Sequence, residues 1–139
     1  MRIFIKFFLI VALVFCFSCE KQGIYVKCSE CTEVEPLKAN LEIKLDINYN
    51  GAVTVINVYE GNLEDSILYK TIETSGSVSS ISVTLNKKYT ITASYYIPNS
   101  YYIAVDSATP RVGYNKSQCD KPCYYIYDKV VDLRIKYTK

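Results

Sequence analysis

Leu41, Ile43, Leu45, Ile47 and Tyr49 alternate with Glu42, Lys44, Asp46 and Asn48, and no other stretch of the chain restricts the possible folds so strongly. A period of two sends successive side chains to opposite faces, so this run reads as a half-buried β-strand with one apolar face. Asn50-Gly51 follows, and then Ala52 to Glu60, a second β-rich run. Asn-Gly between two such runs predicts a hairpin, because a type I′ turn needs positive φ at both central residues. A two-residue loop sets the register, so Tyr49 should oppose Ala52, Leu45 should face Ile56 and Ile43 should face Val58. Lys44 and Asn57 then share the other face. Val53, Val55 and Tyr59 lie on that outer face too, which calls for something to cover part of it.

The theme recurs about every ten residues. Ser66–Thr74 is a candidate strand, turned at Ser75-Gly76, and Ser77–Leu85 is another, turned at Asn86-Lys87. Tyr89, Ile91, Ala93, Tyr95 and Ile97 alternate up to Pro98-Asn99-Ser100. Tyr101–Asp106 and Tyr124–Tyr127 are short runs, and residues 107–122 read as a long irregular connection with Pro110, Gly113 and Pro122. Val130–Tyr137 reads as the last strand, burying Val131, Leu133, Ile135 and Tyr137 while Asp132, Arg134 and Lys136 face water. No window after the first eighteen residues has helical apolar spacing. Seven to eight short strands with turn signals between them predict an all-β chain, a single antiparallel β-sandwich of immunoglobulin-like or transthyretin-like type. A small β-barrel is the alternative.

Residues 1–18 read as a targeting segment. Arg2 and Lys6 precede the uninterrupted apolar run Phe7–Phe17, which is long enough for a signal peptide and short of the roughly 20 residues needed to span a bilayer. Ser18-Cys19, followed by polar Glu20-Lys21-Gln22, resembles a bacterial lipobox, with Cys19 as the lipidated first mature residue. An ordinary cleavage site and an uncleaved anchor are the competing readings. The expected organisation is a leader over 1–18, a lipidated tether and first strand with the C-x-x-C motif over 19–40, and a β-sandwich over 41–139. The membrane is then a partner through the N-terminal lipid.

Four further cysteines remain: Cys28, Cys31, Cys119 and Cys123. An even number in an exported chain implies disulfides. Four thiolates could hold zinc, although an oxidising compartment works against them. A redox dithiol at Cys28-Ser-Glu-Cys31 would lack the βαβ setting of thioredoxin-like sites. If Ile24–Cys31 is extended, Cys28 and Cys31 stand about 10 Å apart, beyond the roughly 4.4–6.8 Å that a disulfide spans between Cα atoms. Both must then pair with Cys119 and Cys123, closing a loop worth about 3–4.7 kcal/mol for the first bridge. A turn at 28–31 would reopen the local pairing.

The leader ending in Cys19, the CSEC at 28–31 followed by Glu35-Pro36, VINVYEGNLED at 55–65 and CDKPCYYIYDKVVDLRIKY at 119–137 resemble small exported lipoproteins of Bacteroides-type bacteria. The resemblance spans nearly the whole mature chain and implies an envelope lipoprotein with a small β-sandwich. It implies no activity.

The sequence contains no His, which removes His-based triads, His general bases and His zinc ligands. With Arg2 and Lys6 gone in the leader, 14 basic residues balance 14 acidic ones, so nucleic acid is not an expected partner. The nucleophile motif G-x-S-x-G is absent, and S-x-x-K occurs only as Ser18-Cys19-Glu20-Lys21, at the end of the leader. Glu64-Asp65, Asp106, Asp128 and Lys87-Lys88 read as turn and loop residues, and no calcium loop is present. No catalytic residue, cofactor or metal is expected. The 14 tyrosines stand out. Tyr95-Tyr96, Tyr101-Tyr102 and Tyr124-Tyr125 are adjacent in strands, so one ring of each pair must point away from the core. Tyr96, with Tyr101 or Tyr102, forms a candidate patch for a protein or glycan; burial under residues 107–122 is the competing account. The expected role is a non-enzymatic binding or docking module. The alternative is a structural or accessory subunit of a surface assembly.

Overall fold

The alternating runs form strands, and their apolar sides meet in one core. The computed structural model describes residues 26–135. In chain order the strands are β1 (Lys38–Lys44), β2 (Thr54–Glu60), β3 (Leu68–Thr74), β4 (Val78–Thr84), β5 (Tyr89–Ile97), β6 (Ser100–Ala108), β7 (Arg111–Asn115), β8 (Cys123–Tyr127) and β9 (Val130–Asp132). They make a three-stranded sheet, β4-β1-β9, a four-stranded sheet, β3-β2-β5-β6, and a two-stranded sheet, β7-β8. The chain is a β-sandwich, and among the described residues no sheet closes into a barrel. Leu41, Ile43, Ile81, Val83 and Val131 from one sheet pack with Ile56, Val58, Tyr89, Ile91 and Tyr95 from the other, all buried. Burying such side chains contributes roughly 1.5–3 kcal/mol each before chain entropy is counted.

The hairpin expected at Asn50-Gly51 does not form. β1 pairs antiparallel with β4 and parallel with β9, whereas β2 pairs with β3 and β5. Both turn residues do have positive φ, 54° at Asn50 and 68° at Gly51, yet the turn carries the chain from one sheet to the other. The reason lies in the polar members of the alternating run. Asp46 is not a solvent-facing strand residue: its N–H donates to the Tyr95 hydroxyl and its carboxylate accepts from the Ile135 N–H. Asn48 is buried, donating to the Val53 carbonyl and accepting from the Tyr96 N–H. Ile47, in an expected core position, is exposed. Polar groups committed to other strands end β1 at Lys44. Leu45 and Ile56 both join the core, but not as a cross-strand pair.

Three further differences concern where strands begin and end. The segment expected to be irregular, 107–122, contains β7, which pairs with β8 from Arg111↔Tyr127 to Asn115↔Cys123. This brings the number of strands among the described residues to nine. β6 runs to Ala108 because its whole length matches β5, from Ile97↔Ser100 to Tyr89↔Ala108. The final strand stops at Asp132; Val131 and Leu133 are buried as expected, and Ile135 is half-buried. Lys136 and Tyr137 lie outside the described residues.

Both disulfides cross the molecule. Cys28 bonds Cys119, and Cys31 bonds Cys123, with Cα–Cα distances of 5.6 and 5.4 Å. The premise of an extended 24–31 segment does not hold at the motif itself, where Cys28–Glu30 forms a 3-10 turn closed by Cys31 N–H to the Cys28 carbonyl. The long-range pairing forms all the same. Thr32 adds a two-way main-chain bridge to Tyr124, so the segment before β1 is fixed to β8 by hydrogen bonds as well as sulfur.

Candidate functional site

The candidate surface sits at the β5–β6 hairpin. A two-residue loop, Pro98-Asn99, joins the strands, and Asn99 takes φ 66°, a conformation Asn tolerates well. Asn48 holds the loop end of the hairpin through the Tyr96 N–H at 2.8 Å. In the register Tyr96 stands opposite Tyr101, so the two share one side of the sheet. Their rings meet edge to face, with centroids 5.8 Å apart and planes at 69°. That geometry suits the ring quadrupoles. Tyr96 is 67% exposed and Tyr101 57%.

Tyr102 goes elsewhere. It pairs in register with the buried Tyr95 and so faces the inner side, at the open rim of the sandwich. There it lines a cleft of about 410 Å³ with Asp106, Asp132, Arg134 and Ile135. Arg134 donates through Nε and Nη2 to the two carboxylate oxygens of Asp132, each at 2.8 Å. The Tyr96–Tyr101 pair and Tyr102 therefore occupy opposite faces.

Sequence reasoning missed two members of the outer row. Ile103 and Val105 follow Tyr101 on the same side of β6 and are exposed. Their alternation with Tyr102 and Ala104 is the signal that could have found them, since both lie inside the expected strand Tyr101–Asp106. The neighbouring threonines are less open than a Thr/Ser face suggests. Thr90 and Thr92 are buried, the former by donating to the Gly61 carbonyl at 2.7 Å.

The charged candidates serve turns. Asp65 accepts from the Asn62 N–H within a capping box around the 3-10 turn Leu63–Asp65. Lys87 pairs with Glu60, and Lys88 donates to the Asn62 side chain. Asp128 accepts from the Thr109 N–H, and Asp106 from the N–H groups of Ser107 and Asp132. Lys129 forms an ion pair and hydrogen bond with Glu30 that holds its carboxyl below the usual range.

Among the described residues, the sulfurs of Cys31, Cys119 and Cys123 are the gathered set of metal-ligand atoms, all within 4.8 Å of one another. Each is joined in a disulfide, which leaves no thiolate to bind a metal. Cys19, the expected lipidation position, lies outside the described residues. No protein family, curated protein or solved structure matches the chain.

Proposed function

We propose that the chain is a non-enzymatic cell-envelope lipoprotein, attached to the outer membrane through a lipid on Cys19, whose β-sandwich docks a protein or glycan partner. The observation that carries the docking role is the Tyr96–Tyr101 pair, two exposed rings in edge-to-face contact on a strand pair whose loop end is fixed by a buried Asn. Rigid tyrosines offer a flat apolar face and a polar tip at small entropic cost, which suits stacking on a sugar ring or gripping a peptide. The leader, the lipobox-like Ser18-Cys19 and the resemblance to small exported lipoproteins support the location.

A glycan array and a pull-down from detergent-solubilised envelope, each run with the native chain and with Tyr96→Ala, test the docking role. Loss of binding in the variant, with stability changed by no more than about 0.5 kcal/mol, is the expected result. Binding that survives both Tyr96→Ala and Tyr101→Ala removes the surface from consideration. Labelling with an alkyne fatty acid tests the attachment: Cys19→Ala should abolish the label. A second reading, an accessory subunit of a surface assembly, is favoured by the open edge of β6.

A further inference from the structure

Two strands border the four-stranded sheet, and they are built differently. β3 carries Lys70 and Glu73, and its register with β2 shifts between Val58 and Tyr59. Charges and bulges of this kind discourage a further strand from adding. β6 has neither. It keeps an unbroken register with β5 along its length, and Ser100–Val105 holds no charged residue and no proline. β4, at the border of the other sheet, is also uncharged, but the Tyr69 hydroxyl donates to its Ser82 carbonyl.

The hairpin shows which main-chain groups of β6 are open. A two-residue loop closes on a pair that exchanges both main-chain hydrogen bonds, here Ile97 and Ser100. By alternation, Tyr102 and Ala104 also point their N–H and C=O toward β5, while Tyr101, Ile103, Val105 and Ser107 point theirs outward. The N–H of Ser107 is already donated to the Asp106 carboxylate at 2.8 Å, and the other Asp106 oxygen accepts from Asp132 N–H. The open groups therefore reduce to Tyr101, Ile103 and Val105, a set symmetric about Ile103.

We propose that β6 pairs antiparallel with β6 of a second copy of this chain, about a two-fold axis at Ile103. In that register Ile103 meets its own counterpart and Tyr101 meets Val105, each pair exchanging two main-chain hydrogen bonds. Tyr102 falls opposite Ala104, and Asp106 opposite Ser100, so no like charges oppose one another. The alternative axis at Ala104 would need the Ser107 N–H that Asp106 occupies. Both outer faces end on the same side of one continuous sheet. The exposed side chains of Tyr101, Ile103 and Val105 from the two copies become one apolar stripe, with the two Tyr96–Tyr101 pairs about 14 Å apart along it.

The test is sedimentation of the processed chain in detergent, with Ile103→Cys and Ile103→Lys. The native chain should show a concentration-dependent dimer, and Ile103→Lys should weaken it by at least about tenfold, since two like charges then meet at the axis. Under mild oxidation Ile103→Cys should give a covalent dimer, because a hydrogen-bonded pair places Cα atoms about 5.5 Å apart. Lys70→Cys on β3 should not. A native monomer at every accessible concentration overturns the proposal, as does equal cross-linking of the two Cys variants, or a dimer indifferent to Ile103→Lys. So does an Ile103→Lys-sensitive complex with a different chain and no self-association. Partner binding that depends on Tyr96 in a strictly monomeric protein would overturn the pairing and leave the docking role standing.

Discussion

The sandwich and the β7–β8 sheet are held by different means. Between the two larger sheets, apolar side chains from β1, β2, β4, β5 and β9 fill one core, and no single contact decides its integrity. β7–β8 adds two half-buried residues, Val112 and Ile126, at the margin of that core. What secures it is a few discrete long-range links: two disulfides to the segment before β1, a main-chain bridge from Thr32, and the Lys129–Glu30 ion pair. A strand pair is marginal on its own in water. Covalent links do here what burial does in the sandwich, by restricting the unfolded chain.

The largest expected effect comes from the sandwich. Leu41→Ala or Ile91→Ala, each at a fully buried position, should cost about 2–5 kcal/mol and lower the melting temperature of the whole chain. A loss below about 1 kcal/mol in chemical denaturation would break the contrast at its strongest point. Reducing both disulfides should cost about 3–5 kcal/mol. Hydrogen exchange should then show amides of β7 and β8 opening while β1 and β5 stay protected; equal loss across all strands would mean the two regions are one cooperative unit.

Gly113→Ala comes next. A Cβ at Gly113 would lie 2.5 Å from Cζ of Tyr125, its partner in the β7–β8 register, so the ring must move. About 1–3 kcal/mol should be lost, confined to β7–β8 in exchange experiments. Tyr95→Phe is the smallest, at about 1 kcal/mol. It removes the hydroxyl that accepts from the Asp46 N–H and donates to the Leu133 carbonyl. Burial raises the Tyr95 pKa above its ordinary value of 10.0. Its folded form therefore keeps the proton that the unfolded form loses, and stability fully present below about pH 10 declines as the pH rises through the folded value. Denaturation midpoints between pH 9 and 11 should fall less steeply in Tyr95→Phe than in the native chain.

Strands were legible where their faces were consistent. Tyr89–Ile97 was read to the residue, because Ile91, Ala93 and Tyr95 look inward and the Pro98-Asn99 loop stops the run. Asn50-Gly51 shows the limit. Its dihedrals follow from its residue types, but whether a turn joins neighbours in one sheet or crosses to the other depends on which distant strands claim Asp46 and Asn48. The parallel pairing of β1 with β9, Glu42↔Val130 to Lys44↔Asp132, leaves no local trace at all. At the candidate surface, the separation of Tyr101 from Tyr102 required only the hairpin register, which a two-residue loop fixes. Ile103 and Val105 lie inside the run read as a strand, Tyr101–Asp106, but nothing local marks that strand as an edge of its sheet.

The disulfide clamp also decides how the domain would bear a mechanical load. Tension applied upstream of Cys28, as a membrane attachment at Cys19 would apply it, reaches Cys119 and Cys123 through covalent bonds before it reaches Lys38, where β1 begins. Without the bridges, the same pull would peel β1 from β4 and β9 one hydrogen bond at a time. With them, it is delivered to both ends of the 91-residue span at once, and the ladders between are spared. The strand that a tether would be expected to unzip first is the one the sulfur bonds shield.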